Sequence, residues 1–562
     1  MIEWLGEGLL GALRGLLGLD QDANAWIFAL TLGMQVLGMI SAAQAVMETR
    51  TAQGAIAWAL VLLTFPLLAV PAYWIFGRNH VNGYRKRRIR EQLELQLGSK
   101  VLAGLLSASR VRDANLTRRM RILEEITGSP FTSGNRVDLL IDGAQTFASM
   151  FAGIAAASDH VLVSFYIMRH DEIGEPFKKA LVERARAGVR VRVMYDGIGT
   201  PRAASGMFEE LRAAGVKVVS FDGSRHPGNR LSLNFRNHRK IVAVDGMRAW
   251  VGGLNIGREY AGMDPEVGHW RDTHVCVEGP AALAVEAVVI EDWLWATGES
   301  LELLLWKPRR MPAPDTAPDP AADAAADTAA DAAADAAADT AADTAPDPAA
   351  DAAAEDLGSS PSGHPHAASA GGAGQQTQEA SRSVLVAATS PASNIETCTL
   401  LFMQLIGQAR SRLWIASPYF VPDEQFVSQL QLAALRGVDV RIMLPSRPDS
   451  RLVQLASYAY LKSLGETGVR FFRYTRGFLH QKVVLVDDDC ASVGTVNFDN
   501  RSFRLNFEIS ILIQSHSFGA QLAAMLENDF THCKRLDADF LSHRSLPFRF
   551  LVRAARLLAP VL

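Results

Sequence analysis

The chain of 562 residues has few cysteines. Its four, Cys276, Cys398, Cys490 and Cys533, stand far apart, with no CxxC and no histidine spaced to complete a zinc set. That argues against a zinc site or a disulfide framework and fits a reducing compartment. The first 24 residues lack a basic stretch ahead of an apolar one, and no small-residue cleavage site stands out, so a cleaved leader is not expected. Lys and Arg are absent from Met311 to Gln378, where twelve acidic residues fall. The formal net charge of −4 therefore misleads, because without that segment the rest carries +8. A basic body favours anionic partners such as acidic lipid or nucleic acid.

From Asp315 to Asp351 an Asp recurs at every fourth residue, mostly spaced by Ala. Like charges at that spacing oppose a helix. Prolines flank the run, and Gly, Ser and Gln come after it, so 311–382 reads as a disordered linker with no chemistry of its own. A length of 562 residues implies at least two domains, and the linker falls between two halves.

Two uncharged apolar stretches lie near the N-terminus, within 24–47 and 54–77, joined by "ETRTAQ". Each is long enough as a helix to cross a hydrocarbon core of roughly 30 Å, and Trp26, Tyr73 and Trp74 sit near the ends as interfacial anchors. A transmembrane helical hairpin is expected, preceded by an amphipathic segment over 1–23. The basic run "RNHVNGYRKRRIR" opens a connector over 78–134. By the positive-inside rule this run and the chain after it belong in the cytoplasm, and the run suits anionic head groups. At the other end, "PFRFLVRAARLLAPVL" has the composition of an interfacial amphipathic helix and equally of a helix packed on the second domain.

The halves, 135–310 and 383–562, repeat each other. "ARAGVRVRVMYD" parallels "ALRGVDVRIMLP", and "HVLVSFYI" parallels "RLWIASPYF", each of the latter a strand ending near a Tyr. Strands alternating with helices imply an α/β sandwich in each half. Residues 237–255 align with 479–497 without gaps, and nine of the nineteen positions are identical. His238, Lys240, Asp245, Gly252 and Asn255 match His480, Lys482, Asp487, Gly494 and Asn497.

Strand geometry assigns expected roles. His and Lys, two apart, project to one face, while the Asp is of opposite parity and should anchor a turn at the strand end. On the next strand Gly253 and Asn255, or Thr495 and Asn497, share a face and are expected at the substrate. Two copies facing each other across a pseudo-two-fold axis would gather two imidazoles and two ammonium groups. Such a pocket suits a phosphodiester. The lysines and asparagine amides would hold its oxygens, one His would attack phosphorus, and the other would shuttle the proton. Asp272, after the first motif, and Glu508, after the second, are the expected orienters of the histidines. No carboxylate cluster is present to hold a metal, and the scheme calls for no cofactor.

The pattern HxK(x)4D(x)6G(G/T)xN, twice, resembles the phospholipase D superfamily. With "AWALVLLTFPLLAVPAYWIFGRN", "WRDTHVCVEGPA", "SPYFVPDE" and "NFDNRSFRLNFE", the chain resembles bacterial cardiolipin synthases of the phospholipase D type over nearly its whole length except the linker. The resemblance implies two phospholipase D-like α/β/α repeats and active-site sets His238, Lys240, Asp245 and His480, Lys482, Asp487. It also implies transfer of a phosphatidyl group between two phosphatidylglycerol molecules, giving cardiolipin and glycerol, in a bacterial inner membrane. A phospholipase D-type hydrolase, or another phosphatidyltransferase, is the alternative. A nuclease with the same histidine chemistry is disfavoured by the two apolar spans and the lack of an aromatic–basic groove, so no nucleic-acid partner is expected. Gly253 departs from the Ser or Thr common at that position.

Overall fold

The computed structural model describes residues 21–49, 52–77, 104, 106–111, 118–200, 204–221, 235–299, 382–391, 393 and 395–559. The expected N-terminal amphipathic segment up to residue 20, the whole basic cluster and the acidic linker lie outside the described residues.

The N-terminal unit is a pair of packed apolar helices. The first, Gln21–Glu48, contains the one stretch among the described residues long and apolar enough to cross a membrane, Phe28–Glu48. The second expected span is not one helix. Helix Ala52–Thr64 stops at Phe65, and Pro66–Ala72 begins a new helix that passes into a wider turn, Tyr73–Gly77. Pro66 explains the break, since its ring disfavours helical backbone at the residue before it, and Phe65 has left the helical region. Gly38 lets the two segments touch: a Cβ there would lie 2.6 Å from the Leu62 carbonyl oxygen. Trp74 Nε1 donates to Ser41 Oγ at 3.1 Å across the pair.

The second unit carries both repeats. In the first, the strands are β1 (Thr132–Ile141), β2 (His160–Phe165), β3 (Arg190–Asp196), β4 (Lys217–Phe221), β5 (Ile241–Val244), β6 (Arg248–Gly252) and β7 (Thr273–Glu278). In the second they are β8 (Arg382–Thr389), β9 (Arg412–Ala416), β10 (Asp439–Pro445), β11 (Arg470–Tyr474), β12 (Val483–Val486), β13 (Cys490–Gly494), β14 (Asn506–Gln514) and an added edge strand, β15 (Cys533–Leu536). The first repeat begins at Thr132, three residues before the expected boundary.

These strands make one mixed sheet. Its order runs β4-β3-β2-β5-β6-β7-β1 in the first repeat and, mirrored, β8-β14-β13-β12-β9-β10-β11-β15 in the second. The seam is the antiparallel pair β1–β8. In each repeat three strands are parallel and the motif strand pairs antiparallel with the first of them. The order is palindromic about the seam apart from β15, as a pseudo-two-fold relation between the repeats requires.

Helices cover both faces, so the central strands are buried on both sides and read as continuous apolar runs. On one face of the first repeat Phe147, Met150, Phe177, Leu181 and Leu211 pack on Val161, Val163, Val191 and Val242. In the second, Leu401, Phe402, Phe426 and Leu430 pack on Leu413, Ile415, Val440 and Val484. The opposite faces take helices Pro280–Thr297 and His516–Thr531. The two motif strands are thereby clamped between helical layers, and the His-x-Lys segments that lead into them start from a rigid base.

Candidate active site

Each HxK segment precedes a fully buried strand, β5 or β12. The segment is fixed by the other repeat. His238 donates its backbone N–H to the Phe507 carbonyl at 3.0 Å, and His480 donates to Arg271 at 2.8 Å. The imidazoles are crossed in the same way. His238 Nδ1 lies 3.0 Å from both carboxylate oxygens of Glu508, and His480 Nδ1 lies 2.7 Å from Asp272 Oδ2. Both expected orienters lie against a motif histidine, but each meets the histidine of the opposite repeat. The reason is topological: β7 and β14 flank the seam, and the residues at their starts reach across it.

The carboxylates are themselves held. Glu508 accepts from Thr495 Oγ1 at 2.5 Å and from Asn506 Nδ2 at 3.0 Å. Asp272 accepts from its neighbour Thr273 N at 2.8 Å and from Trp270 Nε1 at 3.3 Å. Burial raises both carboxyls, but the facing cations prevail. His480 and Lys482 hold Asp272 below the usual range, and His238 and Lys240 do the same for Glu508. A charged carboxylate at Nδ1 keeps the proton on that nitrogen and leaves the Nε2 lone pair outward.

Lys240 and Lys482 are buried beside the histidines. Lys240 Nζ donates to the His238 carbonyl at 2.7 Å, and Lys482 Nζ donates to that of His480 at 2.5 Å. Lys482 Nζ also lies 2.9 Å from His480 Nδ1. Burial lowers Lys240 to about 7 and Lys482 to about 8, eased by Glu508 and Asp272. Burial and the nearby lysines push both histidines down to about 4. The field of Lys482 reaches His238 and that of Lys240 reaches His480, so the two motifs share one electropositive site.

Other expected site residues have different employment. Asp245 and Asp487 stand at the strand ends with left-handed backbone, φ 55° and 53°. Asp245 accepts from the backbone N–H groups of Ser158, Asp159 and His160, all at 2.8 Å. Asp487 accepts from those of Arg410, Ser411 and Arg412. Each thus ties the start of the neighbouring parallel strand to the motif strand, as the parity argument expected, and neither reaches the reacting groups.

Asn255, expected at the substrate, is also held by protein partners. Its Oδ1 accepts from Ile167 N and its Nδ2 donates to Tyr260 Oη, both at 3.1 Å. Asn497 Oδ1 is buried with no hydrogen-bond partner among the described residues. Thr495 spends its hydroxyl on Glu508. Gly253, its counterpart, packs on Asp272: a Cβ there would lie 2.0 Å from Asp272 Oδ1. The expected substrate contacts of Gly253 and Thr495 are therefore replaced by support of the orienting carboxylates. Asp is one methylene shorter than Glu, so its carboxylate sits closer to the backbone opposite, and only glycine fits.

Sequence reasoning missed the aromatic walls. Tyr166 meets the His238 ring edge-on at 5.1 Å, with Lys240 Nζ 5.4 Å from its centre. Trp270 and Phe478 flank His480 at 5.0 and 5.8 Å. The tyrosine at the end of "HVLVSFYI" was a visible signal for the first; nothing in the pattern marked Phe478. Also missed was Asp142, whose carboxylate accepts from Asp272 N and Arg271 Nη1 at 3.0 Å and pairs with His269 Nε2 at 2.9 Å. Two buried ion pairs brace the floor: Arg239 with Asp292, and Arg271 with Asp529. Among the described residues no three His, Cys, Asp or Glu side chains are grouped to hold a metal.

A family described as "Cardiolipin synthase, PLD-like domain" matches residues 150–278 and 402–533, one match in each repeat. Cardiolipin synthase A of Pseudomonas aeruginosa (strain UCBPP-PA14) is 37% identical over 97% of this chain and 99% of its own length. The chain belongs to the cardiolipin synthase family. As a member of this family it is a phosphatidyltransferase with phospholipase D-like repeats. Cardiolipin synthase A of Pseudomonas putida (strain F1) is likewise 37% identical, over 96% of this chain and 99% of its own. A phosphatidylserine synthase from Haemophilus influenzae Rd KW20 superposes with a TM-score of 0.53, covering 79% of this chain and all of that one. At 15% identity that likeness concerns the fold alone. The cardiolipin synthase family match falls on both HxK motifs and on both crossing carboxylates.

Proposed function

We propose that the protein joins two phosphatidylglycerol molecules into cardiolipin and glycerol through a phosphohistidine. The observation that carries this reading is the crossed pair of carboxylate–imidazole contacts. Each occupies an Nδ1 and leaves the Nε2 of that histidine unused, and the charges of both lysines act on both imidazoles.

In the first step His238 Nε2 attacks phosphorus of one phosphatidylglycerol. The bond from phosphorus to the glycerol head-group oxygen breaks, and His480 gives that oxygen a proton from its Nε2. Glycerol leaves, and a phosphatidyl group remains on His238. In the second step the head-group hydroxyl of another phosphatidylglycerol gives its proton to His480 and attacks phosphorus. The P–N bond breaks, cardiolipin forms, and His480 is protonated again. Lys240 and Lys482 balance the charge on the non-bridging oxygens. A bound phosphodiester anion favours one imidazolium between the two rings, and with His238 neutral as the nucleophile that proton sits on His480.

His238 takes the nucleophile's part here. Its Glu508 is fixed by two side-chain donors, while His480 lies between aromatic rings with Lys482 on its Nδ1 side. The two apolar N-terminal segments form the multi-pass anchor in this reading, and the basic run after them keeps the repeats on the cytoplasmic side.

The test uses the full chain in bilayers containing labelled phosphatidylglycerol. Cardiolipin and glycerol should appear in equal amounts. Phosphatidic acid as the sole lipid product would make the protein a hydrolase. His480→Ala should retain labelled phosphatidyl on the chain, whereas His238→Ala should retain none; the reverse pattern would exchange their roles.

A further inference from the structure

The C-terminal helix Leu546–Leu557 has three distinct sides. Val552 and Ala555 are fully or nearly fully buried, and this side packs on helix Arg451–Tyr458. The sequence left open whether this segment packs on the domain or faces an interface; one side of it packs. At 100° per residue, Leu546, Phe550 and Leu557 then fall within an arc of about 40° on another side. They are 76%, 72% and 81% exposed. Arg549, Arg553 and Arg556 occupy the third side, and none pairs with a carboxylate among the described residues.

A large exposed apolar stripe on a short helix calls for a cover. Its flank of arginines without carboxylate partners selects one that is apolar inside and anionic at its surface. The helix is also joined to the active-site end of the second repeat. Asn500, three residues after Asn497, donates from Nδ2 to the carbonyl of Ala559 at 3.1 Å and to that of Val421 at 3.3 Å.

We propose that helix Leu546–Leu557 is a docking element that seats the second repeat on the surface of an anionic bilayer. Leu546, Phe550 and Leu557 enter the boundary between head groups and acyl chains, and Arg549 and Arg553 contact the lipid phosphates. This rests on the proposed function, in which the substrate is a membrane phospholipid. The N-terminal segments tether the chain to the membrane, and the helix fixes how the reaction site meets it. Burial of several large apolar side chains together with electrostatic attraction is what holds such helices in the interface.

The test places an environment-sensitive fluorophore at Phe550→Cys in a full-length chain that also carries Cys533→Ser, because the other three cysteines are buried. The chain is reconstituted in phosphatidylcholine bilayers with and without phosphatidylglycerol, including lipids with brominated acyl chains. Quenching is expected at position 550, stronger with phosphatidylglycerol present. It is not expected at Leu435→Cys, an exposed site at the far end of helix Glu424–Leu435. Equal solvent exposure at both positions would overturn the proposal. So would protection at 550 that tracks protein density instead of anionic lipid, which would assign the stripe to a second copy of the chain.

A triple variant, Leu546→Ser, Phe550→Ser and Leu557→Ser, gives the functional arm. Turnover of bilayer phosphatidylglycerol should fall about tenfold, since each lost side chain removes interfacial burial. Turnover of monomeric short-chain phosphatidylglycerol supplied from water should match the parent chain. Equal losses on both substrates would make the helix a structural support and overturn docking. The fluorophore reads docking with no turnover at all, so failure of docking and failure of phosphatidyl transfer are told apart.

Discussion

Glu508 accepts a hydrogen bond from Nδ1 of His238, a residue 270 positions earlier and in the other repeat. The reciprocal contact, Asp272 to His480, spans 208 positions. Neither repeat alone therefore contains a complete histidine–carboxylate pair.

The first prediction concerns these carboxylates as positioning residues. Glu508→Gln keeps the shape but removes the charge that holds the proton on Nδ1. Phosphatidyl transfer should fall by about 10²–10⁴ in kcat, with little change in KM. Asp272→Asn should do the same through His480. Initial rates of glycerol release across a range of phosphatidylglycerol concentrations measure both, and an unchanged kcat in either variant would refute the crossed pairing as a working part.

Gly253 gives a second, sharper expectation. Gly253→Thr would restore the hydroxyl residue that the second repeat has in Thr495, yet its Cβ would sit 2.0 Å from Asp272 Oδ1. Asp272 must then leave His480, and the rate should drop by about 10² or more. The opposite change, Thr495→Val, removes one donor to Glu508 and should cost about tenfold. If Gly253→Thr were fully active, the packing argument for this glycine would fail.

The pH dependence is set by the buried cations. As pH rises through about 7 and then 8, Lys240 and Lys482 lose their charges, and the free enzyme loses its hold on an anionic substrate. As pH falls through about 4, the histidines protonate and no nucleophile remains. A profile of kcat/KM against pH should therefore rise as pH climbs through about 4, decline above that as free His480 loses the proton it must give, and fall more steeply from near neutrality. The alkaline limb of kcat should lie higher, because the bound phosphodiester stabilises both ammonium groups. Glu508 raises the lysine, so Glu508→Gln should move the alkaline limb of kcat/KM to lower pH. A limb that stayed in place would separate Lys240 from that limb.

Arg239 supplies a stability test. Its guanidinium pairs with Asp292 and also donates to the carbonyls of Glu508 and Thr389, all in the interior. Arg239→Met would leave the Asp292 carboxyl buried without its cation. The expected cost is about 3–5 kcal/mol, visible as a lowered midpoint in thermal or denaturant unfolding. The double variant Arg239→Met with Asp292→Leu should recover part of that loss.

The linear pattern by itself determined a good deal. The gapless match of His238–Lys240 with His480–Lys482 fixed two copies of one α/β unit and a two-histidine site. Strand parity placed Asp245 and Asp487 at turns, because a period of two leaves no freedom in which face a residue takes. Asp272 and Glu508 could be named because each comes at a similar distance after its motif. Only the tertiary structure decided which histidine each carboxylate serves, because pairing across the β1–β8 seam depends on strand order and leaves no trace in spacing. The same holds for Gly253, Thr495 and Asn255. Parity put them on the right face, but what fills that face, carboxylate or substrate, is a matter of close packing in three dimensions.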